Sequence, residues 1–305
     1  MPAVNPKNLS SFCFLSSKND NHDIQLLLDA LIEKDSFHSI IGRGKNMLRI
    51  FKILQQVSGV DTTILISGEP GTGKELIVEA LHSMSPRRKA PLIKVNCLNL
   101  ADELLDVEVF GSTPEAFDWT CANRSGQVET ALGGTLFLDE IGGISPCLQL
   151  KLLSFLQRKE YKRVGGSRTR EADVRIIAST NVDLAKKVDE GGFRKDLYFR
   201  LKVLNIHVPP LRDRTEDIPF FADYFCKIFA KKFHKPNLKT GHETMSIFMR
   251  YPWPGNLREL KRALEHGALL CSGTKIDPEH LPRELFKQPV RKKRLHWTGN
   301  ASSAP

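Results

Sequence analysis

The residues best suited to chemistry lie in one run, G-E-P-G-T-G-K-E, which holds Gly68, Glu69, Pro70, Gly71, Thr72, Gly73, Lys74 and Glu75. Glycine is needed where backbone N–H groups turn inward and approach phosphate oxygens closely, and a helix that comes next presents its positive N-terminal end to the same oxygens. Lys74 adds a point charge for the outer phosphates, while the Ser or Thr that ordinarily succeeds the lysine to bind Mg²⁺ is here Glu75. A second run, G-G-T-L-F-L-D-E, ends an apolar stretch in two carboxylates, Asp139 and Glu140. Asp139 is suited to hold Mg²⁺, directly or through water, and Glu140 to polarise the water that attacks a terminal phosphate. A third apolar stretch, V-R-I-I-A-S-T-N, closes on Thr180 and Asn181, polar groups suited to contact that water or the γ-phosphate. In G-F-R-K-D-L-Y-F-R-L, Arg194 and Arg200 fall on one expected helix. A charge-stabilising arginine is worth on the order of 10³ to 10⁵ in phosphoryl-transfer rate, although the spacing alone fits a surface pair equally well.

These groups need a frame that brings them to one edge. From Ile40 to Val208 short apolar segments rich in Val and Ile alternate with helical ones, the pattern of a parallel sheet flanked by helices. Strands are expected at Thr63–Ser67, Leu92–Cys97, Gly134–Asp139, Val174–Thr180 and Leu204–Val208. Ligands of such sheets bind outside the carboxyl ends of the strands, where Gly68, Asp139, Glu140 and Asn181 all fall. Pro209 and Pro210 break the pattern, and the chain beyond them is helical, with a turn at P-W-P-G that starts a helix at Asn256. The expected organisation is a short segment over 1–35 with one amphipathic candidate helix at Asp23–Lys34, an α/β domain over 36–208, a small helical domain over 209–286 and a disordered basic tail over 287–305.

Composition fits a folded chain: 41% of residues are hydrophobic and 26% charged, away from disordered and fibrous compositions. No stretch approaches the roughly 20 apolar residues of a membrane span, and the amino terminus has no secretory-signal pattern, so a cytoplasmic location is expected. The six cysteines are scattered, with no C-x-x-C pair and no histidine at zinc-finger spacing, which points to free thiols. A net charge of +10 invites a nucleic-acid partner. Part of that excess, however, is Lys287, Arg291, Lys292, Lys293 and Arg294, a run that usually marks a solvated tail.

Taken in order, the motifs closely resemble the AAA+ ATPase domain of the bacterial enhancer-binding proteins, which act on RNA polymerase carrying sigma-54. The likeness runs from about Phe37 to Leu285 and includes I-I-G-R (Ile40 to Arg43), G-G-T-L-F-L-D-E-I-G (Gly133 to Gly142), R-V-G-G (Arg163 to Gly166), P-P-L-R-D-R (Pro209 to Arg214) and W-P-G-N-L-R-E-L (Trp253 to Leu260). In that family glutamate typically succeeds the loop lysine, which accounts for Glu75. The resemblance implies an AAA+ P-loop fold, with a parallel five-stranded sheet flanked by helices and a helical lid, and ATP and Mg²⁺ as ligands. It further implies that Asn96 is a switch holding Glu140, Asn181 a sensor, Arg194 and Arg200 fingers reaching into the next subunit of a ring, expected to be a hexamer, and Arg258 a lid sensor. Ile40, Ile41 and Gly42 correspond to the stretch lining the adenine pocket.

One departure bears on output. The family contacts sigma-54 through a loop reading G-A-F-T-G-A, where this chain has E-A-F-D-W-T, Glu115 to Thr120. Ala116 and Phe117 match, while both glycines and the threonine are replaced. The family's regulatory domain and helix-turn-helix have no counterpart in the sequence, so sequence-specific DNA binding by this chain is not expected. Three functions are compatible with these features: an ATP-hydrolysing regulator that remodels sigma-54 polymerase, an ATPase acting on another partner or as a decoy subunit, and an ATP-dependent binding module with negligible turnover.

Overall fold

A computed structural model of the chain describes residue 42 and residues 44–98, 100–114 and 124–286. The 1–35 segment with its candidate helix, Ile40, Ile41, the 115–120 loop and the 287–305 tail lie outside the described residues.

The elements alternate as the sequence requires: α1 (Lys45–Ser58), β1 (Ile64–Ser67), α2 (Lys74–Ser83), β2 (Leu92–Asn96), α3 (Asp102–Phe110), β3 (Thr135–Asp139), α4 (Pro146–Arg158), β4 (Arg175–Thr180), α5 (Leu184–Asp189), α6 (Lys195–Leu201) and β5 (Leu204–His207). The five strands form one sheet in the order β2-β3-β4-β1-β5, and every pairing is parallel. Parallel strands covered on both faces are mostly apolar, and I-L-I-S in β1 and R-I-I-A-S-T in β4 are buried at every position, with polar side chains only at their ends. Each strand matches its expected limits to within a residue. Cys97 and Val208 fall outside the ladder yet still donate to Asp139 O at 2.9 Å and Ser67 O at 2.8 Å. Arg175 is buried in β4 and donates to Val57 O and Ser58 O at 2.9 and 2.8 Å, satisfying the open carbonyl end of α1.

Register aligns the strand ends that matter. Asn96 lies opposite Asp139, Ser67 opposite Thr180, and Leu138 opposite Ala178, so Asp139 comes beside Ser179. The chain runs from β1 through α2 to the far edge strand β2, which makes the end of β1 a topological switch point, the usual seat of a ligand.

After Pro209 and Pro210 come α7 (Ile218–Lys232), α8 (His242–Arg250) and α9 (Asn256–Leu270). These have a core of their own, in which Phe221, Phe225, Phe229, Phe248, Trp253 and Leu260 pack together, separate from the core around the sheet. Trp253 is fully buried, donates from Nε1 to Phe248 O at 2.8 Å and meets Phe248 and Tyr251 edge-on. Trp253→Ala is expected to destabilise the helical part by about 3–5 kcal/mol, from lost burial and the cavity left behind. Urea unfolding followed by circular dichroism checks it.

Candidate functional site

The carboxyl ends of β1, β3 and β4 meet the amino end of α9 around a cavity of about 530 Å³. Described residues lining it include Pro70, Gly71, Gly73, Lys74 and Glu75 from the loop and α2, Asn96 at the end of β2 and Leu98 beyond it, Asp139, Glu140, and Asn181. From the helical side come Phe221, Tyr224, Phe225, Ile228, Leu257, Arg258 and Lys261.

The loop owes its shape to glycine at two places. Gly71 sits at φ +78, where a Cβ would lie 2.4 Å from Gly255 O, and Gly73 at φ +97 turns the chain into α2. No other residue fills the first position without moving backbone. The first N–H groups of α2 have no partner inside the helix, which leaves them for an anion. Lys74 is buried, and its Nζ donates to Gly68 O at 2.9 Å, Glu69 O at 3.4 Å and Glu140 Oε1 at 3.1 Å.

The acidic pair is held from β4. Ser179 Oγ donates to Asp139 Oδ1 and accepts from the Glu140 N–H at 3.2 Å. The Glu140 carboxylate spans two donors, Lys74 on one oxygen and the Asn181 backbone N–H at 2.8 Å on the other. Glu140 itself adopts φ +59, a left-handed conformation that costs a non-glycine residue about 1 kcal/mol and recurs at functional sites. Beneath the pair, burial and then the charges of Asp139 and Glu140 push the Cys97 thiol up to about 12, which makes it inert.

Asn96 differs from expectation. Its Oδ1 accepts from Leu98 N–H at 2.9 Å, closing a local turn, while Glu140 takes the two partners just described, one of them the charged Lys74. Arg194 and Arg200 do not share a helix either. Arg194 has extended backbone (φ −71, ψ 131) because Gln149 Oε1 takes its N–H at 2.8 Å, and α6 begins at Lys195. The Arg194 side chain pairs with Asp196 at 2.7 Å, and Arg200 donates to Leu156 O at 3.2 Å. Neither is among the described residues lining this chain's cavity. Gly42 is packed so closely that an added Cβ would meet Met47 Cγ at 2.9 Å and Asp217 Oδ2 at 3.1 Å. Glu75 pairs with Lys94 at 2.6 Å. Arg258 lines the cavity with Lys261 one turn on.

Ser179, Lys261 and the aromatic wall escaped the sequence. The wall was legible in principle, since Phe221, Tyr224, Phe225 and Ile228 recur at the i, i+3, i+4, i+7 spacing of one helix face.

Of the carboxylates lining the cavity, Glu75 is paired with Lys94 and Glu140 with Lys74 and Asn181 N–H, so Asp139 is the one that would take a divalent cation, and among the described residues no cluster of three His, Cys, Asp or Glu could hold a metal unaided. That suits Mg²⁺, which keeps several waters and is bound by one or two carboxylates together with a nucleotide's phosphates. No helix among the described residues is long and apolar enough to cross a membrane.

A phosphate loop at the switch point of a five-stranded parallel sheet, an acidic pair two strands away and a helical lid closing over them define a nucleotide-site fold of the AAA+ class. The sigma-54 interaction domain family matches residues 40–207 and the AAA+ ATPase lid domain residues 212–300, and the chain belongs to the sigma-54 interaction domain family. It is 44% identical over 247 residues to the Nif-specific regulatory protein of Herbaspirillum seropedicae, covering 81% of this chain and 46% of that protein. Identity to the transcriptional regulatory protein ZraR of Salmonella typhimurium is 43% over 252 residues, covering 83% of this chain and 57% of that protein. The chain thus spans about half the length of these curated relatives. Among solved structures, NtrX from Brucella abortus in complex with ATP superimposes with a TM-score of 0.74 at 31% identity, over 87% of this chain and 61% of that one.

Since φ +59 is cheap for glycine and costly for alanine, Glu140→Gly should be more stable than Glu140→Ala by about 1 kcal/mol, although both delete the same carboxylate. Parallel urea denaturation of the two variants checks the sign.

Proposed function

We propose that this chain binds ATP with Mg²⁺ and hydrolyses it, in the cytoplasm, as one subunit of a ring, expected to be a hexamer, that acts on RNA polymerase carrying sigma-54. The observation that supports this most is the Glu140 carboxylate, lying between Lys74 Nζ and Asn181 N–H at the edge of the cavity.

The triphosphate is received by the loop and α2 N–H groups, and Lys74 exchanges Glu140 for the outer phosphate oxygens. Glu140 then has an oxygen free to accept a hydrogen bond from water and draw off its proton as that water attacks the γ-phosphorus. The bond from γ-phosphorus to the bridging oxygen breaks, and ADP leaves with the electron pair. Bound Mg²⁺ would be held by Asp139 and would supply charge neutralisation on the β- and γ-oxygens. Arg258 and Lys261 bring positive charge from the lid. Arg194 and Arg200 are not among the described residues lining their own chain's cavity, and in this reading they serve a neighbouring subunit's γ-phosphate.

A second function is favoured by one observation, the loop Glu115 to Thr120. Where the family has G-A-F-T-G-A, E-A-F-D-W-T gives up two glycines and sets a carboxylate in place of a hydroxyl. An unpaired charge brought into a contact costs several kcal/mol, so the ATPase would act on another partner or as a decoy subunit.

Lys74→Ala should abolish nucleotide binding, and Glu140→Ala should bind ATP yet lose turnover, both read by a fluorescent ATP analogue and phosphate release. Equal hydrolysis by wild type and Glu140→Ala would sink the assignment. If the arginines act in trans, mixing Lys74→Ala with Arg200→Ala chains should recover part of the activity, and no recovery in rings shown to be mixed would count against it. Restoring the loop with Glu115→Gly, Asp118→Thr, Trp119→Gly and Thr120→Ala should raise open-complex formation at a sigma-54 promoter by tenfold or more from a low baseline, taking about 1.4 kcal/mol as tenfold. An unmodified chain that already opens that promoter at the restored chain's rate would show that the loop is no impediment.

A further inference from the structure

The phosphate loop is gripped from the lid side as well as from the sheet. Arg212, in the linker after β5, sends two guanidinium N–H groups to the Glu69 carboxylate at 2.8 and 2.5 Å. This fork holds Glu69 below the usual carboxylate range, against burial that raises it, with a smaller lowering from Asn256. Asn256, the first residue of α9, is fully buried and left-handed at φ +53. Its Nδ2 donates to Pro70 O at 3.0 Å and to Glu69 Oε2 at 3.3 Å, and its Oδ1 accepts from Leu211 N–H at 2.7 Å. Leu257 N–H donates to Gly71 O at 2.9 Å and Arg214 Nη2 to Thr72 O at 2.7 Å. Three consecutive loop carbonyls, those of Pro70, Gly71 and Thr72, therefore accept from the linker or the lid. In a trans peptide the carbonyl and the next N–H point opposite ways, so fixing these carbonyls turns the N–H groups of Gly71 and Gly73 to the other side.

Helix initiation does not account for Asn256. The α9 N-cap is Gly255, and Glu259 Oε2 already accepts its N–H at 2.7 Å. The Asn256 carboxamide is spent instead on the loop and the linker. Asparagine is one of the few residues beside glycine that enters the left-handed region readily, which lets one residue begin the helix and still reach three partners. Two residues on, Arg258 enters the cavity from the same helix, with Lys261 after it.

We propose that Asn256, Glu69 and Arg212 are positioning residues that form a clamp: they set the phosphate loop in its nucleotide-accepting form and tie it to α9, so that phosphate entering the loop moves Arg258 and Lys261 with it. The clamp presupposes the nucleotide function proposed above and adds the route by which the lid senses the loop.

The test uses the full chain, with ATP and Mg²⁺ as the probe. Affinity is measured for wild type, Glu69→Gln, Arg212→Gln, their double variant and Asn256→Gly, together with hydrogen exchange of residues 256–264 with and without saturating ATP. Glycine keeps the left-handed backbone while deleting the carboxamide, and Glu69 and Arg212 are each more than a third exposed, so the pair can be changed without touching a core. Each single change should weaken ATP binding by about tenfold, and the double variant should be no weaker than either single one, the mark of groups acting as one unit. ATP should slow exchange across 256–264 in wild type and leave it unchanged in the variants even at saturation, a readout that a merely structural role would not move. Variants that bind within twofold of wild type with an unchanged exchange response overturn the clamp, and so do Glu69→Gln and Arg212→Gln effects that multiply independently. Lys74→Ala separates the two levels. If wild type binds ATP and Lys74→Ala does not, a wild-type-like set of variants removes the clamp alone; if wild type does not bind ATP, the nucleotide function falls and the clamp with it.

Discussion

The contact between Lys74 and Glu140 is the interaction on which the rest of the site depends. It joins the phosphate loop after β1 to the acidic end of β3 across intervening β4, with both side chains nearly buried at 7% and 12% exposure. A buried pair of this kind is costly to break by removing one partner, about 3–5 kcal/mol, because the remaining charge is left uncompensated. Under the proposed function a triphosphate would change that balance, since it would present more negative charge to Lys74 than one carboxylate does, and the event that fills the loop would release the carboxylate on the other side of it.

Everything around the pair can be understood as holding its two halves at the right separation. The sheet register brings Ser67 level with Thr180 and Asn96 level with Asp139. Ser179 fixes Asp139 by its hydroxyl and Glu140 by its backbone, and the left-handed turn at Glu140 swings the carboxylate toward Lys74. On the far side, a helical unit with its own apolar core supplies the aromatic wall and the lid cations. Arg214, buried with its guanidinium lowered to about 10 by desolvation against the pull of Asp217 and Glu216, links the two by donating to Thr72 O.

Much of this can be read in the sequence, for identifiable reasons. Continuous apolar runs mark strands covered on both faces, so the expected limits of β1, β3 and β4 agree with the structure to within a residue, and Gly71 and Lys74 declare their chemistry by type and spacing. The partners that side chains choose are less legible. The family resemblance puts Asn96 on Glu140, but its carboxamide closes a local turn onto Leu98 N–H, an arrangement short-range geometry favours and spacing does not reveal. Arg194 reads as helical, yet the helix starts one residue later, because Gln149, distant in sequence, captures its N–H. Ser179 and Asn256 lie inside runs that the sequence marks, and Lys261 just after one, yet nothing in those runs names their partners, since their roles arise only when β4 and α9 are packed against the loop.

The most direct test of the account is a structure of this protein with Mg²⁺ and a non-hydrolysable ATP analogue. Lys74 Nζ should have left Glu140, now 3.1 Å away, for the outer phosphate oxygens, and a Glu140 oxygen should face a water in line with the γ-phosphorus. A nucleotide seated in the loop with Lys74 still on Glu140, or one bound away from Gly71 to Lys74, would contradict it.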